Sequence, residues 1–447
     1  MKKSLFCLMI ITLISLYVMN AFALPPVNKT KSISEIWYYE EGVKLLEGDD
    51  PQKGMEYIQL AAEYENHDAQ YLLGMCYEEG RMVIKNKTLA IEYYQKAADA
   101  GNIDAQMKIA SFFSDGIGMK KNNEKAFEYY MLAAKQGNAE AQYKLGEYYY
   151  NGKVVDQNYD IAMYYYLQSA EQGNDNAQNN VGMCYEYGRG VVRDYQKAAM
   201  YYQKAAEQGN ASAQNNMGNC YYFGYGVVQN YEKAVEYYQQ SADQGNASAQ
   251  NSLGESYYYG EGVRQDYKKA VMYYQKSADQ GKASAQNNLG NCYYYGHGVA
   301  QDYEKAVEYY QKSADQGNAI AQNSLGECYY YGYGVIINYE KAVEYYQKSA
   351  DQGKASGQNN LGFCYYNGYG VEQNYEKAVE YYQKSADQGN AIAQNRLGYC
   401  YEYGKGVKVN YDKAAEYYQK SADQGNAQAK KALTELNSKI VHLNKNK

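Results

Sequence analysis

A glycine that returns at a fixed interval constrains this chain more than anything else in it. Gly74, Gly146, Gly182, Gly218, Gly254, Gly290, Gly326, Gly362 and Gly398 mark a 36-residue step, as from 290 to 326, broken only by Ala110. A unit this short cannot bury its own apolar surface, so a period in this range implies stacked repeats that cover one another.

The stretch Ser284 to Asn318, SAQNNLGNCYYYGHGVAQDYEKAVEYYQKSADQGN, shows what each period encodes. Ala285, Leu289, Gly290 and Tyr293 fall on one helical face, which predicts a first helix from about Ser284 to Tyr295. Small residues at Ala285 and Gly290 let a neighbouring helix approach. Gly296-His297-Gly298 ends that helix, because glycine accepts positive φ, and Val299 is expected to anchor the turn. A second helix is expected to open at Asp302. Its slot holds only Asn or Asp: Asn86, Asn122, Asn158, Asp194, Asn230, Asp266, Asp302, Asn338, Asn374 and Asn410. A short side-chain oxygen there accepts from the unpaired amides of the first turn, and Glu304 complements the positive helix end. Ala306, Tyr310 and Ala314 form the inner stripe, Glu308 and Lys312 an outward i,i+4 pair, and Gly317 the stop. Such helix pairs predict an all-α fold, an α/α solenoid of 36-residue helix-turn-helix repeats.

The string Ala283-Ser284-Ala285-Gln286, Leu289-Gly290, Tyr293, Gly296, Gly298-Val299, then Lys305-Ala306, Tyr309-Tyr310, Lys312 and Gly317, resembles the Sel-one-like repeat (SLR) family, relatives of the tetratricopeptide repeats. The resemblance covers ten copies, residues 67–426. It implies a right-handed superhelix of antiparallel helix pairs. It also implies an adaptor or scaffold, found among secreted and periplasmic bacterial proteins and in eukaryotic quality-control complexes, and not an enzyme. The slot often filled by Trp in the family is Tyr309 here.

Outside the copies, the ends have their own character. Lys2 and Lys3, the apolar run Leu5 to Met19 and Ala21-Phe22-Ala23 predict a signal peptide over residues 1–23, the alternative being an uncleaved anchor. Cys7 lies inside the apolar run, unlike a lipoprotein cysteine. The mature chain is therefore expected to start near Leu24 and to be periplasmic or secreted, with no membrane span. Residues 24–33 read as a flexible lead. Residues 34–66 read as a degenerate capping repeat, with Trp37 in the leucine slot and Asp50-Pro51 opening its second helix. Residues 427–443 read as a C-terminal capping helix, with Leu433 in the core slot and Lys430, Lys431 and Lys439 outward. With only 3 prolines in 447 residues and no linker, one continuous domain is expected.

Little in the sequence points to chemistry. The net charge of −7 is spread evenly without a basic stripe, which argues against nucleic acid. Cys76, Cys184, Cys220, Cys292, Cys328, Cys364 and Cys400 share one slot, which elsewhere holds Phe112, Tyr148 or Ser256. Equivalent slots lie about one repeat apart, roughly 10 Å, too far for a disulfide, so they read as buried free thiols. A cysteine-rich branch of the family pairs two cysteines within each repeat, a scheme this chain cannot follow. His67, His297 and His442 stand isolated, and no H-E-x-x-H or C-x-x-C occurs, so no metal or cofactor is expected. The Gly-x-Gly turns lack the Lys-Ser/Thr of a phosphate loop. Some cysteine-rich relatives are linked to β-lactamase-like hydrolysis, but no S-x-x-K is present here. Carboxylates read as solvated helix-face charges. Sequons at Asn28, Asn86, Asn210 and Asn246 matter only in a eukaryotic secretory pathway.

A binding surface is the remaining candidate. In tetratricopeptide-type solenoids the first helix lines the concave side. The face of the first helix away from Leu289 and Tyr293 presents the slots of Asn287, Asn291, Tyr294 and Tyr295. Two of them recur as ladders: Asn215, Asn251, Asn287, Asn323 and Asn359, and Tyr222, Tyr258, Tyr294, Tyr330 and Tyr366. An amide can pair with an extended backbone, and tyrosine adds area with a polar tip. These rows predict a groove for a protein or peptide partner. The alternatives are simple inheritance through repeat duplication, a cell-wall glycan, which tyrosine faces and amides also suit, and, third, a hydrolase.

Overall fold

The computed structural model describes residues 31–48 and 50–445, so the segment read as a signal peptide lies outside the described residues. Among the described residues there are 23 helices and no strands, and helix pairs recur about every 36 residues. The contacts group the chain into two compact units, Met1–Arg193 and Asp194–Lys447, where the sequence predicts one continuous domain. In both units each helix packs mainly on the helices next to it in sequence, which is how a stacked-repeat chain distributes its stability.

One repeat of the second unit shows the construction. Ala283–Tyr295 and Tyr303–Asp315 are its two helices, 13 residues each. Asp302 caps the second, accepting from the Lys305 amide, as the Asn/Asp slot predicts. The chain leaves it through Gln316 and then Gly317 at φ 86°, so the glycine follows the cap instead of forming it. Ala306, Tyr310 and Ala314 are buried along one stripe. The recurring glycine has a definite task. A methyl group on Gly290 would lie 2.7 Å from two carbons of the Tyr310 ring, so glycine here admits the buried tyrosine of the paired helix. Glu308 and Lys312 pair at 2.6 Å on the exposed side.

Polar groups stitch the repeats together. The buried Gln286 amide donates to the Ala278 carbonyl of the preceding repeat and accepts from Gln316 at 2.7 Å. Ser313 donates to the Ala283 carbonyl at 2.7 Å. The second glycine of each Gly-x-Gly turn also has a reason. A Cβ on Gly298 would drive into the Tyr267 carbonyl of the preceding repeat, and the backbone there stands at φ 76°. In the first unit Met82 and Val154 occupy that slot with positive φ, a conformation L-residues adopt only under strain.

The ends differ from expectation. The first helix begins at Lys31, inside the stretch read as a lead. Asp50 and Pro51 open the next helix as predicted, but Trp37 is half exposed, not in a core slot. The connection before Pro51 is short, which shifts the register: Gly42, not position 38, faces the second helix, its would-be methyl 2.9 Å from Ile58. At the other end Ala427–Lys445 forms the last helix, and Leu436, not Leu433, is its fully buried leucine.

Candidate functional site

The first helices of the second unit carry the slots singled out in the sequence, and the structure separates them. Asn215, Asn251, Asn287, Asn323 and Asn359 are only 4% to 8% exposed. This corrects the expectation that their amides are presented to a partner. The next first helix leans on this side, which brings the residue 37 positions later within bonding distance. Asn288 donates to Asn251 Oδ1 at 3.1 Å, Asn360 to Asn323 Oδ1 at 3.0 Å, and Arg396 to Asn359 Oδ1 at 2.9 Å. The row is a seam between repeats. It is also incomplete. Ser324 and Ser252 stand where a donor would reach Asn287 and Asn215, and the buried Oδ1 atoms of those two residues have no partner among the described residues.

The tyrosine row is half-buried and mostly occupied. Tyr222, Tyr258, Tyr294, Tyr330 and Tyr366 each pack on the tyrosine that opens the paired helix, centroids 5.0 to 5.2 Å apart. Across the repeat boundary each of the first four meets the residue between the two glycines of the next turn. Tyr222 donates to Glu261, Tyr258 bonds His297 Nδ1 at 2.7 Å, and Tyr294 and Tyr330 meet Tyr333 and Tyr369. Burial pushes the Tyr258 and Tyr330 phenols up to about 12. The solvent-facing aromatic row is one residue further on. Phe223, Tyr259, Tyr295 and Tyr331 are 55% to 64% exposed. Of the slots the sequence nominated, the one held by Tyr295 is open.

Sequence reasoning missed the carboxylates. Glu255 and Glu327 sit in the Asn291 slot two repeats apart, and both are half-buried, not solvated. Glu255 Oε1 accepts from Asn251 and Asn288, each at 3.0 Å. Glu327 Oε1 accepts from Asn323 at 3.0 Å and Asn360 at 3.2 Å. Burial raises both carboxyls above the usual range, and the amide bonds only partly offset it. The alternation Glu255, Asn291, Glu327 was a readable signal, since Asn291 uses its oxygen to accept from Tyr310 at 2.7 Å while a glutamate brings charge. Around Glu327 lies a recess of about 130 Å³ lined by Tyr330, Tyr331, Tyr346, Asn360, Phe363 and Arg396. The seven slot cysteines are free and buried, and burial pushes the Cys292 thiol up to about 12, which makes it a poor nucleophile.

A model of the Sel1 repeat matches eleven consecutive segments, from 37–63 and 67–102 through to 391–426. The chain belongs to the Sel1 repeat family. A protective antigen present in uropathogenic Escherichia coli strains, c5321, which displays an SLR fold, is 34% identical over 93% of this chain and 91% of its own, with a TM-score of 0.74. A Sel1 repeat protein from Oxalobacter formigenes is 29% identical over 69% of this chain and 89% of its own, with a TM-score of 0.50. No curated protein matches the chain significantly. As a Sel1 repeat chain it is a scaffold of the kind that typically serves protein–protein interaction. No helix among the described residues is long and apolar enough to cross a membrane.

Proposed function

We propose that this Sel1 repeat protein is an exported adaptor that holds an extended segment of a protein partner along the first helices of its second unit. The observation that carries the reading is the open aromatic row Phe223, Tyr259, Tyr295 and Tyr331, one ring per repeat. Exposed aromatic rings in register offer contact area at low entropic cost. The Asn and Tyr ladders behind this row keep a part in the reading as the seam that fixes its spacing. Export rests on the amino-terminal pattern of Lys2, Lys3, the apolar run and Ala21-Phe22-Ala23.

The test is affinity capture from the native compartment followed by mass spectrometry, repeated with Tyr259→Ala plus Tyr295→Ala. Loss of a partner from the double variant, with Tyr258→Ala plus Tyr294→Ala as a seam control, supports the reading. Unchanged capture by the Tyr259/Tyr295 variant sinks it. The same rings suit a sugar face, so binding of the row to a glycan array in place of a protein would move the assignment to cell-wall polymer. Mass spectrometry of the exported chain tests the leader: a mature terminus near Leu24 is expected, and an intact Met1 refutes it.

A further inference from the structure

Three covered carboxylates of the first helices are ion-paired. Glu78 is paired with Lys108 at 2.9 Å, Glu147 with Lys144 at 3.0 Å, and Glu402 with Lys439 at 3.3 Å. Glu255 and Glu327 have no cation within ion-pairing distance among the described residues, although burial makes an uncompensated charge costly. Sequence explains the difference. Lys108 and Lys144 occupy the slot that holds Ser252, Asn288, Ser324 and Asn360 around the two orphan glutamates. Asn288 and Asn360 bind Oε1 only, so Oε2 of each carboxylate is left without an amide. Glu327 lines the recess walled by Tyr330, Tyr331 and Phe363, and Tyr258, Tyr259 and Asn291 hold the equivalent places in the repeat of Glu255. Arg396 also lines the Glu327 recess, but its guanidinium is held on Asn359 and lies over the Phe363 ring, 4.4 Å from its centroid, and it forms no ion pair with Glu327.

We infer that the second unit recognises a basic partner segment, two of whose lysine or arginine side chains seat beside Glu255 and Glu327. An incoming cation supplies what Lys108, Lys144 and Lys439 supply at the other carboxylates, and the flanking aromatic rings favour it by cation–π attraction. This recognition rests on the peptide-binding reading above and adds its chemistry. Packed helices are about 10 Å apart, so two repeats set the carboxylates roughly 20 Å apart, the reach of about six extended residues. The seated side chains therefore belong to positions about six apart.

The test is fluorescence anisotropy on the full mature chain, with a labelled peptide whose only charged side chains are two lysines about six positions apart and, as a second probe, the same peptide with both lysines acetylated. Glu255→Gln and Glu327→Gln should each weaken binding of the lysine peptide about tenfold. The double variant should bind it no better than the acetylated probe. Glu308→Gln plus Glu344→Gln, which removes the same charge from the opposite helices, should leave binding unchanged, and circular dichroism checks that all variants are folded. Absence of binding by the native chain, wild-type affinity in the Glu255/Glu327 double variant, equal loss in the Glu308/Glu344 control, or equal binding of the acetylated probe each overturns the inference. The captured partner separates this failure from failure of the broader reading. If Tyr259→Ala plus Tyr295→Ala abolishes its binding and the double glutamine variant does not, the groove stands and the basic specificity falls. If neither variant affects it, both fall.

Discussion

Gly290→Ala isolates the contact on which each repeat closes. The added methyl would sit 2.7 Å from Cδ1 and Cε1 of Tyr310 and 3.3 Å from the Ala306 carbonyl oxygen. In an open helix this change would stabilise by about 1 kcal/mol through propensity alone. Here the ring must move, yet it is almost wholly buried and tethered to Asn291 at 2.7 Å. Overpacking of this kind costs about 1–3 kcal/mol, and loss of the tether adds about 1 kcal/mol. The net expectation is destabilisation by about 1–3 kcal/mol, confined to this repeat and its neighbours. Where the chain itself carries alanine, at Ala110, the surroundings differ: Tyr130 packs on Tyr148 with centroids 6.2 Å apart, and Phe127 packs against Tyr148 at 5.4 Å. Hydrogen exchange should show faster opening of Ala283–Tyr295 and Tyr303–Asp315, with little change several repeats away. In a Tyr310→Leu background the same Gly290→Ala change should cost at least about 1 kcal/mol less. A variant as stable as the parent, or a cycle with no coupling between the two positions, would refute the reasoning.

Three further outcomes follow from the geometry. Val154 holds φ 74° with a β-branched side chain in a slot that is glycine in most repeats, so Val154→Gly should stabilise the first unit by about 1 kcal/mol, read as a rise in its unfolding midpoint; a fall would show that the Val154 side chain matters more than its backbone. Ser324→Asn should give the buried Asn287 Oδ1 the donor that Asn288 gives Asn251, raising stability by about 1 kcal/mol, and Asn287→Ala should erase the gain; no gain, or one that survives Asn287→Ala, counts against it. Burial lifts the Glu255 and Glu327 carboxyls above their unfolded range, so the folded chain binds those protons more tightly. Their contribution is therefore fully present below the unfolded pKa, about 4.3, and lost as pH rises through the folded value. Glu255→Gln plus Glu327→Gln should raise the melting temperature at neutral pH and make little difference near pH 3.5 (about one unit below that pKa); an equal shift at both pH values would contradict the burial argument.

The helix pairs, their caps and the repeat are legible in the sequence alone. Those features depend on interactions within about one turn of the chain: Asp302 accepts from an amide three residues on, and Gly296 and Gly317 take the positive φ that the helix ends require. The buried stripe of Ala306, Tyr310 and Ala314 was legible for the same reason, since helical phase fixes which residues share a face. Phase gives a direction but not what lies along it. Only the packing of one first helix on the next decided that Asn251 is buried and Tyr295 open, because Asn288, which bonds Asn251, lies 37 positions away. Likewise Glu255 and Glu308 are both helix-face glutamates in the sequence. The tertiary structure alone covers the first, gives it two amides and, among the described residues, no cation, and leaves the second in water beside Lys312.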